Sequence, residues 1–399
     1  MTREELTERF LQSSRKDYVL MLPTSYGKTK LALLKSKQWV NDKSKILIVI
    51  PRNVLIKGWI EEMKKWKCED LIGLTTFTTY VSLPKHCSPA MHWDIVIFDE
   101  GHHTSERCQD AMQFINCSHA IVLSATLKRE LVHYFDTKFH PELYQVRVKD
   151  AIENEVLPDP KLILIPLTLN NTIVNQVVEK NIKKNTPPSL IKTIGYIEKW
   201  KYRSYKGPLH ILCTQQQYYD DLCGLIDWYK QKGMYNAVMK NMWLHKAGER
   251  LKWLAEQKES LVKDILKKLS NFRTLVFCPS IEDSGKLGSP CINSKVGTAN
   301  LELFNTRKIK HIAAVGMLDE GANLVDCKVG IFQMINSSDR LNIQRQGRLL
   351  RHKSPVLIFP FFVHTREQEI INDIIKDYNP DLVIRMDEVN VNEIKKYIQ

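Results

Sequence analysis

Residues 22–29, LPTSYGKT, combine a glycine, a lysine and a threonine in a spacing that suits phosphate binding. Apolar runs end at Leu22 and resume at Leu31, so the pattern predicts a strand, a tight turn and a helix. A turn that opens a helix presents backbone N–H groups and the positive end of the helix dipole, which favour a polyanion. Lys28 adds a charge for the outer phosphates, and the hydroxyl of Thr29 can enter the shell of a Mg²⁺ ion. Leu22 replaces the first glycine of the strict G-x-x-x-x-G-K-[ST] pattern, and an ordinary turn is the alternative interpretation.

An acidic pair, Asp99 and Glu100, follows the apolar residues 95–98. This order predicts two carboxylates at the carboxyl end of a strand, where ligands bind in open α/β sheets. Asp99 is suited to hold Mg²⁺ through its water shell, and Glu100 to orient and deprotonate an attacking water. The structural alternative is a helix N-cap. The histidines that follow, His102 and His103, are adjacent and cannot converge on one ion, so we interpret them as hydrogen-bonding links.

The elements that must position these groups alternate between helix and strand. The patterns predict an amphipathic helix at 2–14, a doubly buried strand at 45–50, a helix at 54–66, and strands at 74–80, 120–123 and 161–167. Such alternation indicates a right-handed, doubly wound α/β architecture. Helical patterns recur at 218–229 and 248–269.

The composition limits the classes of protein to which this chain can belong. A length of 399 residues favours two domains, and 43% hydrophobic residues with 16 Gly and 16 Pro exclude a disordered or fibrous chain. The net charge of +13 indicates a polyanionic partner or simply a lysine-rich surface. Nine scattered cysteines without a C-x-x-C pair predict reduced thiols and no zinc site. With no signal segment or membrane-length apolar run, we expect a soluble, cytoplasmic protein without a membrane partner.

The segment SAT at 124–126 completes a recognisable series. PTSYGKT, DEGHH and SAT, in this order, resemble motifs I, II and III of the superfamily 2 helicases and translocases. Later stretches extend the resemblance: IPR at 50–52 and TY at 79–80 as nucleic-acid contacts, TLVFC at 274–278 as motif IV, GMLDEGAN at 316–323 as motif V and QRQGRLLR at 344–351 as motif VI. The DEGHH form (DExH type) with QRQGRLLR is closer to phage and viral DNA helicases, branch-migration enzymes and restriction-motor ATPases than to RNA-remodelling families. Ser25 replaces the usual glycine of motif I, and Gln12 is the candidate for the glutamine that reads adenine.

The resemblance implies two RecA-like lobes, each a doubly wound parallel sheet, that share an ATP and Mg²⁺ site. We expect lobe 1 at 1–156 and lobe 2 at 157–399, with a mainly helical insertion in lobe 2 at about 170–269. The residues implied in binding ATP are Thr24, Ser25, Tyr26, Gly27, Lys28, Thr29, Asp99 and Gly321, of which Thr29 and Asp99 hold the Mg²⁺. The residues implied in catalysis are Glu100, Gln344 and the arginine fingers Arg348 and Arg351, which share a helix face at i, i+3.

A nucleic-acid track and its coupling to hydrolysis are also implied. Arg52 and Thr79 would contact the strand in lobe 1, and Ser124, Thr126 and His102 would couple the track to the ATP site. The insertion holds the basic and aromatic stretch KWKYRSYK, in which Lys199, Lys201 and Arg203 are the candidate nucleic-acid contacts. A half-buried strand with its charges in water is the alternative for this stretch.

The resulting functional prediction is an ATP-dependent DNA helicase or translocase acting on single-stranded, forked or branched DNA, of the phage recombination or replication kind. An RNA-dependent ATPase is the alternative within enzymes. A nucleotide-gated clamp or motor subunit, with little unwinding of its own, is the alternative of another class.

Overall fold

The computed structural model describes residues 2–181, 208–234, 236–292, 299–315, 324–336, 352–386 and 390–398. Several residues singled out above lie outside the described residues, namely Lys199, Lys201, Arg203, Gly321, Gln344, Arg348 and Arg351. The predictions for these residues therefore rest on the sequence.

The first sheet contains six parallel strands in the order β3-β2-β4-β5-β1-β6. They are β1 (Asp17–Met21), β2 (Ile46–Ile50), β3 (Thr75–Thr79), β4 (His92–Asp99), β5 (Asn116–Ser124) and β6 (Glu142–Gln145). The helices of this half are α1 (Arg3–Gln12), α2 (Lys28–Trp39), α3 (Leu55–Lys65), α4 (Glu106–Met112), α5 (Arg129–Phe139) and α6 (Val148–Glu153). Because β5 lies between β1 and β4, the phosphate-binding loop, the SAT segment and the acidic pair follow three neighbouring strands at one edge of the sheet.

The second sheet contains seven parallel strands among the described residues, in the order β11-β12-β10-β13-β14-β7-β15. They are β7 (Lys161–Leu167), β10 (Thr274–Phe277), β11 (Cys291–Ile292), β12 (His311–Ala314), β13 (Val329–Phe332), β14 (Val356–Phe362) and β15 (Val383–Arg385). Its helices include α10 (Ile281–Lys286), α11 (Ala299–Asn305), α12 (Arg366–Ile374) and α13 (Val391–Ile398). The predicted α/β class with two doubly wound parallel sheets is confirmed.

Between β7 and β10 the chain forms the expected helical segment. Its helices are α7 (Gln215–Gly233), α8 (Ala237–Glu256) and α9 (Glu259–Lys268). An antiparallel pair that the sequence did not predict precedes them, formed by β8 (Gln176–Asn181) and β9 (Pro208–Cys213).

Both faces of the first sheet are covered, as the continuous apolar run of β2 predicts. Ile46, Ile48 and Ile50 join the core cluster that contains Phe10 of α1, whereas Leu47 and Val49 join a cluster on the other face. This alternation is the two-residue period of a strand. With both faces buried, the carboxyl edge of the sheet remains as the place for a ligand. None of the helices in the described part of the chain is long and apolar enough to cross a membrane.

Helix α1 is held against α2 by a buried lysine. The ammonium of Lys35 donates to the carbonyl oxygens of Leu11 at 3.0 Å and Ser13 at 2.6 Å, which satisfies acceptors at the end of α1. The same ammonium lies 5.4 Å from the ring centre of Tyr18. Burial lowers the pKa of Lys35. This attachment fixes the start of α1, including Arg3, beside the phosphate-binding loop.

A buried ion pair fastens the helical segment to the second sheet. Lys258, between α8 and α9, lies 2.6 Å from the carboxylate of Glu367, and both side chains are 0% exposed. Lys258 also donates to the carbonyl oxygen of Pro360 at 3.1 Å, and Glu367 accepts from the backbone N–H of Phe362 at 3.1 Å. Since each charge has further hydrogen bonds, the pair anchors the inner ends of α8 and α9 to β14.

Candidate functional site

The phosphate-binding loop has the strand–turn–helix context that its sequence predicts. Leu22 donates its N–H to the carbonyl oxygen of Ser124 at 3.1 Å, which continues the β1–β5 pairing into the loop. Gly27 caps the start of α2 with φ +106°, a left-handed conformation that favours glycine. Lys28 folds back across the loop and donates to the carbonyl oxygen of Leu22 at 2.8 Å. The loop is thus closed on itself, with the start of α2 facing the cleft.

Ser25, which stands where the motif that this loop resembles has glycine, adopts a left-handed conformation with φ +72°. For a non-glycine residue this region costs about 1–2 kcal/mol, of which the greater chain entropy of glycine would offset about 0.5–1. We therefore expect Ser25→Gly to raise the free energy of unfolding by up to about 1.5 kcal/mol. Thermal unfolding of the nucleotide-free chain measures this gain. A lower melting temperature for the variant would show that the serine side chain stabilises the loop by more than its backbone strain costs.

The acidic pair lies at the end of β4, as predicted, and its geometry is fixed by neighbours from other elements. Asp99 accepts a hydrogen bond from the indole N–H of Trp59 at 2.9 Å, and its carbonyl oxygen accepts one from the buried hydroxyl of Tyr80 at 2.9 Å. Glu100 follows with φ +51°, so the chain turns sharply after the strand. Burial, and next the charge of Glu100, raise the pKa of Asp99 to about 6, against the opposing effects of Trp59 and Lys28. A carboxylate that is costly to keep charged and lies near a lysine is suited to receive a cation.

Asp99→Asn is expected to stabilise the nucleotide-free chain at neutral pH. The folded pKa of Asp99 lies above its ordinary value of 3.8, so between about pH 4 and about pH 6 the folded state holds a proton that the unfolded state has lost. The free energy of unfolding therefore falls as the pH rises through this window, by at most about 3 kcal/mol. Asparagine has no charge to bury and should avoid this loss. Denaturant unfolding should show the gain at about pH 7.5 and little of it at about pH 4.5, and equal stability of both proteins at the higher pH would contradict the assignment.

The residues proposed for coupling are connected by short contacts. His102 Nδ1 lies 3.1 Å from the hydroxyl of Ser124 and 3.4 Å from Glu100 Oε2. Ser124 in turn donates to the carbonyl oxygen of Thr126 at 2.7 Å. The structure thus brings Glu100 and the end of β5 together through His102. A movement of the SAT segment would therefore change the contact between His102 and Glu100.

One cavity of about 480 Å³ joins the loop to the acidic pair. The predicted residues that line it are Thr24, Ser25, Gly27, Lys28, Thr29, Asp99 and Glu100. The side chain of Tyr26 instead packs into the core at 1% exposure, so only its backbone can serve a ligand. The sequence analysis missed further lining residues, namely Arg3, Lys30, Trp59, Lys65 and Trp66. Arg3 approaches closely, because a Cβ atom added to Gly27 would lie 2.7 Å from its Nη2.

A second cavity of about 490 Å³ continues from the first and shares Arg3, Lys30 and Trp66 with it. Gln12, the candidate for reading adenine, lines this second cavity and donates to Glu8 at 3.0 Å. The ammonium of Lys30 lies 4.4 Å from the ring centre of Trp66. The second cavity therefore offers an aromatic surface and an amide beside the phosphate-binding loop.

The proposed nucleic-acid contacts of the first sheet lie at the same carboxyl edge but outside this cavity. Thr79 ends β3 and pairs in register with Ile50, the last residue of β2, which Arg52 follows. Arg52 is exposed. The two residues lie on the far side of β4 from the phosphate-binding loop. A nucleic-acid strand bound there would be separated from the phosphate-binding loop by the acidic pair.

No family model matches the chain. A curated relative, the DNA 3'-5' translocase XPB2 of Sulfurisphaera tokodaii, is 24% identical over 359 residues, which cover 84% of this chain and 75% of the relative. The fold of this chain is similar to that of S. cerevisiae Dbp5 bound to RNA and ADP BeF3, with a TM-score of 0.61 at 12% identity over 99% of this chain and 93% of that one. The helicase domain of Pyrococcus furiosus Hef gives a TM-score of 0.48 at 12% identity over 93% and 97% of the two chains.

The stretches that resemble motifs I, II and III meet at the carboxyl edge of the first sheet. The second cavity beside them is lined by residues of α1, by Lys30 of α2 and by Trp66 at the end of α3.

Proposed function

We propose that this chain is an ATP-dependent DNA helicase or translocase of the DExH type that moves on, or remodels, forked or branched DNA. The proposal includes residues 1–156 as lobe 1 and 157–399 as lobe 2, with the helical insertion at about 170–269. The motif forms DEGHH and QRQGRLLR support a setting in phage or viral DNA replication or recombination.

The observation that carries the proposal is the convergence of Lys28, Thr29, Asp99 and Glu100 on one cavity. These residues come from β1–α2 and from the end of β4, about 70 positions apart, and β5 is the strand between them. Phosphate-binding backbone, a lysine, a hydroxyl and two carboxylates are the parts that phosphoryl transfer to water requires.

The oxygen donors of this cavity fit Mg²⁺. Thr29 offers a hydroxyl and Asp99 a buried carboxylate, and Mg²⁺ prefers a few such oxygens with water completing its shell. When bound, Mg²⁺ neutralises charge on the outer phosphates. Trp59 holds the carboxylate of Asp99 in place through its N–H at 2.9 Å.

Within this cavity the protein's groups have distinct tasks. Lys28 must exchange its bonds to the loop carbonyls for the outer phosphates, so phosphate binding should also rearrange the loop. Glu100 would accept the proton of the attacking water, and His102, 3.4 Å away, would orient its carboxylate. We further infer that the adenine lies in the second cavity, against Trp66 and within reach of Gln12. The remaining positive charge at the γ-phosphate would come from Arg348 and Arg351, with Gln344 setting the geometry and Gly321 contributing to the nucleotide site.

DNA is favoured as the track by the sequence relative, whose name is that of a DNA translocase. An RNA-dependent ATPase is the second candidate, since the Dbp5 structure of similar fold is described as bound to RNA. The clamp or motor subunit is the third. In each case Arg52 and Thr79, and Lys199, Lys201 and Arg203 of the insertion, are the proposed contacts to the strand.

The test is the ATPase rate measured side by side without nucleic acid and with single-stranded DNA, duplex DNA, forked DNA and RNA. We expect the strongest stimulation with forked DNA, together with displacement of a labelled strand only when the ATP can be hydrolysed. Stimulation by RNA alone would support the second candidate. Tight DNA binding with neither displacement nor translocation would support the clamp.

A further inference from the structure

The outer half of the α7–α8 hairpin projects from the body of the protein. We call residues 228–248 the hairpin tip. From Asp227 to Lys252 none of the described residues is buried, whereas Ile226 and Trp253 on either side are. Helix α8 therefore runs roughly 24 Å before it reaches its first buried residue. The two helices pack on each other there, since a Cβ atom added to Gly233 would lie 3.0 Å from the backbone nitrogen of Lys240.

The base of this hairpin is firmly attached, so the tip is a protrusion on a rigid support. Tyr218 stacks on Trp253 with ring centres 4.7 Å apart, and the hydroxyl of Tyr219 accepts the backbone N–H of Arg366 at 2.8 Å. The buried pair of Lys258 and Glu367 lies just beyond the end of α8. A force applied at the tip would thus be transmitted to the second sheet.

Large apolar side chains are exposed along the tip. Met234 is 74% exposed, Val238 66% and Leu244 53%. Isolated apolar residues on a surface need no explanation, but several gathered on one protrusion indicate an interaction site. Aromatic residues accompany them, and Lys230 lies 6.0 Å from the ring centre of Trp243.

The charge of the hairpin tip indicates which class of partner it binds. Residues 228–248 include Lys230, Lys232 and Lys240 and no Asp or Glu, while Lys246 pairs with Glu249 just beyond them at 2.6 Å. Protein–protein interfaces are enriched in methionine and aromatic residues, which the tip carries, but they are depleted in lysine, so it is the lysines that favour an anionic partner. A membrane-binding helix would gather its apolar residues on one face, and those of α8 are spread around the helix. Lysine for phosphates together with apolar and aromatic groups for bases is the combination that single-stranded nucleic acid and opened duplex ends require.

We propose that the described residues of the hairpin tip, 228–234 and 236–248, bind the unpaired bases of a nucleic-acid strand at the end of a duplex, with their lysines on the adjoining phosphates. This inference rests on the proposed function and names the part of the chain that meets the fork. Met234 and Val238 lie against the exposed base at the junction, and Lys230, Lys232 and Lys240 hold the backbone. An apolar side chain placed against an open base step opposes its closing, so each step of the lobes would be converted into strand separation.

Two variants of the full chain test the inference. Met234→Ser with Val238→Ser removes apolar contact at the tip. Lys230→Ala with Lys232→Ala and Lys240→Ala removes three charges there. The matched control removes three exposed lysines of α9 instead, Lys263, Lys267 and Lys268. All three proteins should keep their thermal stability and their ATPase rate without nucleic acid.

The apolar variant should displace a strand from a fork about tenfold more slowly, as expected for the loss of an apolar wedge, while binding a plain single strand within about twofold of the parent. It should also lose the fluorescence rise of 2-aminopurine placed at the first pair of the fork. The lysine variant should bind forks more weakly, with the slope of log affinity against log salt smaller by about 2. DNA and RNA forks are compared in parallel. The control should change neither displacement nor the 2-aminopurine signal.

The outcomes separate this inference from the proposed function. A parent protein whose ATPase is unaffected by every nucleic acid contradicts the proposed function itself. A parent that unwinds, with tip variants that unwind equally well, contradicts only the role of the tip. Loss of self-association in the apolar variant, or binding of the parent to anionic vesicles that the variant lacks, would likewise overturn it.

Discussion

Glu100→Gln should bind ATP and hydrolyse it at least about a hundredfold more slowly than the parent protein, both with and without nucleic acid. The substitution removes only the carboxylate, because glutamine keeps the size of the side chain. Its amide oxygen can still accept a hydrogen bond from His102, 3.4 Å away. The phosphate-binding loop, with Lys28 and Thr29, is left intact, so nucleotide affinity should change little. Single-turnover hydrolysis and equilibrium binding of a fluorescent ATP analogue measure the two effects separately.

Glu106→Gln is the matched control for this variant. Glu106 is an exposed glutamate in the first turn of α4, close to Glu100 in sequence but not among the residues that line the cavity. Its replacement should leave the rate of hydrolysis unchanged. If Glu100→Gln hydrolyses ATP at the parent rate, the acidic pair does not supply the base and the proposed chemistry of this cavity is wrong.

The order of the strands explains why so much of this site could be predicted from the sequence. The phosphate-binding loop, the acidic pair and the SAT segment each follow a continuous apolar run, and doubly buried strands of this kind belong to parallel sheets. Parallel strands align their carboxyl ends, so residues far apart in the chain were expected to meet at one edge. The register, with Met21 opposite Ser124 and Leu123 opposite Asp99, fulfils that expectation.

The parts that could not be predicted depend on where helices pack. In the sequence, Trp59 was recognisable only as one apolar residue in the helical pattern of α3. Its hydrogen bond to Asp99 depends on how that helix crosses the sheet. Arg3 appeared as one charge on an amphipathic helix, and its place above Gly27 follows from the anchoring of α1 by Lys35. The pairing of β8 with β9 joins segments separated by more than 25 residues, which no local pattern signals. The exposure of Met234 and its neighbours was not predicted either, because these residues lie between the helical patterns predicted at 218–229 and 248–269 and apolar residues are ordinarily assigned to the core.

Arg348→Ala is expected to have the largest effect of any single substitution, a loss of about a thousandfold in nucleic-acid-stimulated hydrolysis with ATP binding retained. The prediction comes from the resemblance of QRQGRLLR to motif VI, since Arg348 lies outside the described residues. The first cavity holds Lys28 together with Arg3, Lys30 and Lys65, while Asp99 and Glu100 bring negative charge to it. By the resemblance to motif VI, Arg348 adds positive charge to the γ-phosphate from the other half of the chain in the transition state.

Arg385→Ala, which removes an exposed arginine of β15, is the control and should hydrolyse ATP at the parent rate. The decisive comparison is the double variant Glu100→Gln with Arg348→Ala. Two groups that act on one transition state are strongly non-additive, so the double variant should be little slower than Arg348→Ala alone. Multiplied effects, on the order of 10⁵ in all, would indicate two independent contributions. Unchanged stimulated turnover in Arg348→Ala would mean that the two sheets do not form one catalytic site.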